Sequence, residues 1–176
     1  MKYFTEELWA SWGDPDYEPP PPEKDPFVLY RAELETLRHR LPPDAFEFFA
    51  EADVHDGELL DFSVVDGSRP APLGEPARRW VSTLDYPVSA TLRVLDAADA
   101  FVWTLSYSHV RRLTMSFSGD EPWEGGGFHD WGYHELSDAG DSFFRHEILF
   151  ASGSTILTEF KVVDVRSEAA RKPSAE

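Results

Sequence analysis

The run Val88-Ser89-Ala90-Thr91-Leu92-Arg93-Val94-Leu95, then Asp96-Ala97-Ala98-Asp99-Ala100, then Phe101-Val102-Trp103-Thr104-Leu105-Ser106-Tyr107 alternates with a period of two on both sides of a polar turn. Ala90, Leu92 and Val94 fall opposite Thr91 and Arg93; Phe101, Trp103, Leu105 and Tyr107 fall opposite Val102, Thr104 and Ser106. Successive side chains of a strand point to opposite faces, so this period predicts β-structure. The turn is too short to hold a crossover helix, so the two strands are predicted to be antiparallel neighbours.

Toward the C-terminus the same pattern returns. Leu113, Met115 and Phe117 alternate with Thr114, Ser116 and Ser118, predicting another strand. Residues 119–127, with Trp123 and Gly125-Gly126-Gly127, read as a loop, and residues 128–136 as a strand closed by Ser137-Asp138-Ala139-Gly140-Asp141. Residues 143–150 and 156–165 read as a hairpin across Ala151-Ser152-Gly153-Ser154. From Ser167 the apolar pattern is lost and a frayed tail is expected.

Toward the N-terminus residues 58–65 read as a strand ending at Asp66-Gly67, with a Pro- and Gly-rich loop after it over 68–75. Before residue 54 the period becomes helical. Thr5 is an N-cap with Glu6 and Glu7 in the first turn, and Phe4 and Trp9 stand at the staple positions of a helix that Gly13 ends. Four prolines at 19 to 22 predict an extended spacer. Asp25-Pro26 opens a second helix, with Phe27, Tyr30, Leu34, Leu37 and Leu41 on one face, and Pro42-Pro43 stops it. Asp44 with Glu47 resembles a capping box for a third helix carrying Phe46, Phe49 and Ala50. The fold class is therefore α+β: N-terminal helices followed by a mainly antiparallel β-meander sheet. Residues 1–24 are expected to be a short helix and spacer, 25–166 one domain, and 167–176 a flexible tail.

Of 176 residues, 33 are Asp or Glu and 16 are Lys or Arg, a net charge of −17 spread through both halves. Such a surface repels phosphate, so neither nucleic acid nor an anionic membrane is an expected partner; a basic protein partner is. There is no cysteine, which excludes disulfides and thiolate chemistry. The N-terminus carries acids where a signal peptide needs bases, and no apolar run approaches the roughly 20 residues of a membrane helix, so a cytoplasmic location is expected.

The opening Met1-Lys2-Tyr3-Phe4-Thr5-Glu6-Glu7-Leu8-Trp9 resembles the start of an uncharacterised bacterial family, a domain of unknown function. Val54-His55-Asp56 and Trp131-Gly132-Tyr133-His134-Glu135-Leu136, ahead of His146 and Phe160, are similar to it too. The resemblance implies a bacterial α+β protein and supplies no activity.

The residues with chemical potential are aromatics, histidines and one acid. His129, Trp131, Tyr133 and Glu135 lie at alternate positions, as do Tyr107 and His109, and His146 lies on a later strand. If these strands share a face, the seven form a ligand-binding patch, and His129, Glu135 and His146 a divalent-metal site; no other cofactor is expected. The bland reading is that Tyr, Trp and His are common on half-buried sheet faces, where the ring packs and the polar edge finds a partner. His55-Asp56 reads as a turn or cap. Gly125-Gly126-Gly127 lacks the strand and helix of a nucleotide loop, and Ser152-Gly153-Ser154 is a hairpin turn. With no catalytic motif, the first expectation is a non-enzymatic, inhibitor- or immunity-like binding domain; the alternative is a small-ligand or metal-binding domain using the aromatic sheet face.

Overall fold

A computed structural model describes residues 1–12, 14–67, 86–117, 127–128 and 130–170. Among these residues three α-helices precede eight strands: α1 (Glu6–Trp12), α2 (Pro26–Leu37), α3 (Pro43–Glu51), β1 (Gly57–Asp66), β2 (Val88–Leu95), β3 (Phe101–Ser108), β4 (Arg112–Ser116), β5 (Asp130–Gly140), β6 (Phe143–Phe150), β7 (Thr155–Phe160) and β8 (Val162–Ala169). The α+β class is as expected. The loop over 68–75, Trp123 and most of the glycine-rich loop, and His129 lie outside the described residues.

Local chemistry explains the helices. The Thr5 hydroxyl accepts from Leu8 N–H at the start of α1, and the Asp25 carboxylate from Phe27 N–H at the start of α2. The capping box at Asp44 does not form. Pro43 is already the first helical residue of α3, which places Asp44 inside the first turn, where its charge suits the helix dipole.

All strand pairs are antiparallel, in the order β4-β7-β6-β5-β1-β2-β3-β8. Two three-strand meanders, β1-β2-β3 and β5-β6-β7, meet through only two residue pairs, Gly57 with Trp131 and Glu58 with Asp130. The other seam is continuous chain: residues 109–111 join β3 to β4, and Lys161 alone joins β7 to β8. Lys161 N–H donates to Ser108 O at 3.2 Å, and Arg111 N–H to Glu159 O at 2.9 Å. Residues 101–116 and 155–169 thus form one bent ribbon that draws the two ends of the strand order together. Register steps from Ser108–Val162 to Arg112–Glu159, one residue longer on the first strand, and His109 absorbs the excess in a left-handed conformation (φ 57°).

Three expected boundaries change. The strand predicted over 156–165 is broken at Lys161, because its halves pair on opposite sides of the bend. Ser167–Ala169, expected in the tail, pair with Phe101–Trp103, for backbone hydrogen bonds need no apolar pattern at a strand end. Ser137–Asp138 continue β5, and the reversal falls at Asp141-Ser142 (φ 53° and 68°), since two consecutive left-handed residues match the twist of a two-residue hairpin.

Residues facing each other across the ladders share a side, and the inner side is mainly apolar, with His134, His146 and Thr158 as polar members. Leu92 faces Leu105, Leu105 faces Val165, Ile148 faces Ile156, and Trp131 faces Phe150. All of these are buried. Phe48 and Phe49 of α3 reach the same layer, against Trp103 and His146 respectively. Each such side chain stabilises the fold by roughly 1.5–3 kcal/mol through removal from water. Where β5 parts from β1 its free edge meets α2 instead: Leu136 N–H donates to the Tyr30 hydroxyl at 3.0 Å.

The first residues pack on the outer side of β5 and β6. Glu135 and Glu147 face each other across β5 and β6 on the outer side of the sheet. Like charges directly opposed are destabilising unless neutralised. The chain start does this: Lys2, Tyr3 and Phe4 N–H all donate to Glu135, at 2.7, 2.6 and 2.6 Å, and the Met1 amine lies 3.1 Å from Glu147. Phe4 is thereby buried against Tyr30 and stacked on Tyr133.

Candidate functional site

The parting of β5 from β1 leaves a cleft of about 510 Å³. Phe27, Tyr30 and Leu34 of α2 form one wall, Phe49 to His55 another, and residues 131–134 at the start of β5 the floor. Phe27 and Val28 are exposed beside it, while Trp131 at the base is fully buried.

A bulge shapes that floor. Trp131 pairs with Phe150 and Tyr133 with Leu149, so Gly132 is the extra residue between them. It reverses the parity of the strand: Trp131 and His134 face inward, Tyr133 and Glu135 outward. A Cβ at position 132 would stand 2.6 Å from the Trp9 ring and 2.8 Å from Leu149 O, so only glycine fits. Tyr133 meets Phe4, Trp9, Trp12, Phe27 and His55 in ring contacts of 4.8–6.1 Å.

The expectation that His129, Trp131, Tyr133 and Glu135 share one face is therefore corrected for the described members. Trp131 and Tyr133 both line the cleft, but from opposite sides of the sheet, and only because the cleft lies at a strand edge. Glu135 is engaged with the chain start on the outer side. His146 and Tyr107 lie on the inner side behind the cleft floor. His109 is not on a strand beside Tyr107; it sits at the ribbon bend and does not line the cleft. Glu135 and His146 are thus not brought together, and among the described residues no three His, Cys, Asp or Glu side chains converge to hold a metal.

One residue of the floor, His134, is not among the candidates that the sequence offers. His134 stands inward and lines the cleft, its ring centroid 5.5 Å from that of Trp131. Its Nδ1 lies 3.3 Å from His146 Nε2, and His146 Nδ1 lies 2.7 Å from the Tyr107 hydroxyl. Burial pushes His134 down to about 4; it pushes His146 well below the usual histidine value too, with His134 adding to the effect. Burial likewise raises the Tyr107 phenol well above its ordinary value. At the rim His55 Nδ1 is 3.0 Å from Asp56, which is held at φ 62°. A glycine inside an alternating strand is itself the signal of a bulge, and Gly132 was the available clue to His134.

Comparison with protein-family models, with curated proteins and with solved structures finds no match to this chain.

Proposed function

We propose that this domain binds a small, largely apolar molecule in the cleft between α2, α3 and the start of β5. The observation that carries the reading is the cleft itself: about 510 Å³, walled by aromatic and aliphatic side chains with few polar groups. Ligand sites have volumes of roughly 300–1,000 Å³ and this kind of lining. Exposed Phe27 and Val28 at the side supply an apolar approach.

The test is a screen of uncharged aromatic fragments against unfolding temperature, run on the protein and on Ala50→Trp. Ala50 lines the cleft from α3 and is half-buried, so the larger ring fills the cleft from its helical wall. A fragment at ten times its Kd stabilises the native state by ~1.4 kcal/mol. Hits should raise the melting point of the parent and lose that effect in Ala50→Trp. Equal shifts in both proteins, or none in either, sink the reading.

A second reading, inhibitor- or immunity-like binding of a basic protein partner, is favoured by the net charge of −17. It predicts stoichiometric capture that weakens with salt, and it fails if no partner is retained at low salt.

A further inference from the structure

From the core to the cleft floor three polar groups are linked in a chain: the Tyr107 hydroxyl, buried His146 and half-buried His134. Both rings are neutral at ordinary pH because burial opposes their protonation. One proton therefore sits on each imidazole and one on the phenol, and Tyr107 decides how they are strung. Its hydroxyl is fully buried, with His146 as its hydrogen-bond partner. Were it to accept from His146, its own proton would be left unpaired in the core, which is costly. Tyr107 therefore donates to His146 Nδ1. His146 then carries its proton on Nε2 and donates to His134 Nδ1, which leaves the proton of His134 on Nε2.

That Nε2–H has no acceptor among the described residues. The indole N–H of fully buried Trp131 also lacks a partner among the described residues. Both residues line the cleft, with ring centroids 5.5 Å apart. The cleft floor is thus a pair of neutral donors, set by a relay that begins in the core.

We propose, resting on the reading of the cleft as a ligand site, that these two N–H groups receive the carbonyl oxygen of an uncharged, apolar ligand. A carbonyl oxygen has two lone pairs and no proton of its own, and so satisfies two donors without needing an acceptor. A hydroxyl would bring a proton of its own that also needs an acceptor. A carboxylate would meet no free cation, because Arg31 on the cleft wall is paired with Glu51 and the protein carries a charge of −17. Ketones, esters and lactones with a hydrophobic body are the class that fits.

Three probes of similar size separate the alternatives: propiophenone, propylbenzene and benzoate. Binding is read from the indole N–H signal of Trp131 and the imidazole ¹⁵N signals of His134 on nitrogen-labelled protein. Propiophenone should bind about tenfold tighter than propylbenzene, the equivalent of one to two net hydrogen bonds, and also tighter than benzoate. His134→Phe and Trp131→Phe should each reduce that preference while propylbenzene still binds. In the protein alone both histidines should show the Nε2–H tautomer, and Tyr107→Phe should disturb the one at His146. Equal affinity for ketone and hydrocarbon, with both N–H signals unmoved, overturns the donor pair and leaves the cleft standing. Preference for benzoate overturns the uncharged class, and no binding of any probe at millimolar concentration overturns both readings.

Discussion

Trp131 and Tyr133 are two residues apart on one strand, yet their rings lie on opposite sides of the sheet. Trp131 packs with Phe150 in the interior, and Tyr133 stacks with Phe4 from the chain start. The residue between them, Gly132, inserts one position into β5 and so turns a period-two strand into two halves of opposite parity. The cleft floor, the histidine relay and the docking of α1 all depend on that step.

Gly132→Ala should therefore disrupt more than its size suggests. The added methyl meets the Trp9 ring and the Leu149 carbonyl. The ring can move and the carbonyl cannot, so a loss of about 1–3 kcal/mol is expected in urea unfolding. Trp9→Ala in the same chain should recover only part of it. Full recovery would show that the strand backbone tolerates a side chain there.

Glu135 holds the first residues through three backbone N–H groups while being only 2% exposed. Glu135→Gln keeps one acceptor oxygen but turns an amide N–H₂ toward those donors. A loss of about 2–4 kcal/mol is expected, because buried donors are left unsatisfied. Amide exchange at Lys2, Tyr3 and Phe4 should accelerate in the variant more than exchange within β2 and β3. Uniform acceleration would mean that Glu135 acts on the whole sheet rather than on the chain start.

The buried histidines set a pH dependence. His134 is pushed down to about 4, below its ordinary 6.5, so the unfolded chain binds its proton more tightly than the folded one. Stability from this group is complete above pH 6.5 and declines as pH falls toward 4. The rings facing His134 are Phe48, Phe49, Trp131 and His146, with no carboxylate among them to hold a charge. Between neutral pH and pH 4.5 the protein should lose about 2–3 kcal/mol that His134→Phe does not lose. Parallel stability curves for the two proteins would show that the ring is protonated without penalty in the native state.

On the outer face of β7, Glu159 receives Arg111 at 2.8 Å and Arg145 at 2.8 Å while being 5% exposed. Burial would raise its carboxyl, but the hydrogen bonds from the two arginines outweigh it and hold the group below its ordinary value. Its contribution is therefore present above the usual carboxylate range and lost as pH falls through the folded value. Glu159→Gln should cost ~2 kcal/mol at neutral pH, less than a fully buried pair because both arginines are partly exposed. The loss should shrink in acid. A constant loss at every pH would assign the effect to packing instead.

Much of the architecture could be read along the chain. Asp25-Pro26, the spacing of Tyr30, Leu34 and Leu37, and the alternation of Leu92, Val94, Leu105 and Tyr107 report local geometry, and local geometry is set by neighbours a few positions away. The alternation places Tyr107, Trp131, Tyr133 and His146 on one face; in the folded chain Tyr107, Trp131 and His146 share the inner side and Tyr133 lies on the outer. The alternation misses His134 and groups Glu135 with Trp131 and Tyr133, because it presupposes an unbroken strand through Gly132.

The order of residues thus determined the helices, the inward sides of β2 and β3, and the negative surface. Only the folded chain decided that β5 would part from β1, that two carboxylates would capture the first residues, and that His134 would stand beside Trp131 in a cleft. The reason is physical. Periodicity is a property of adjacent residues, whereas a bulge, a strand edge and a buried proton relay arise from pairings across more than a dozen positions, whose register no local pattern encodes.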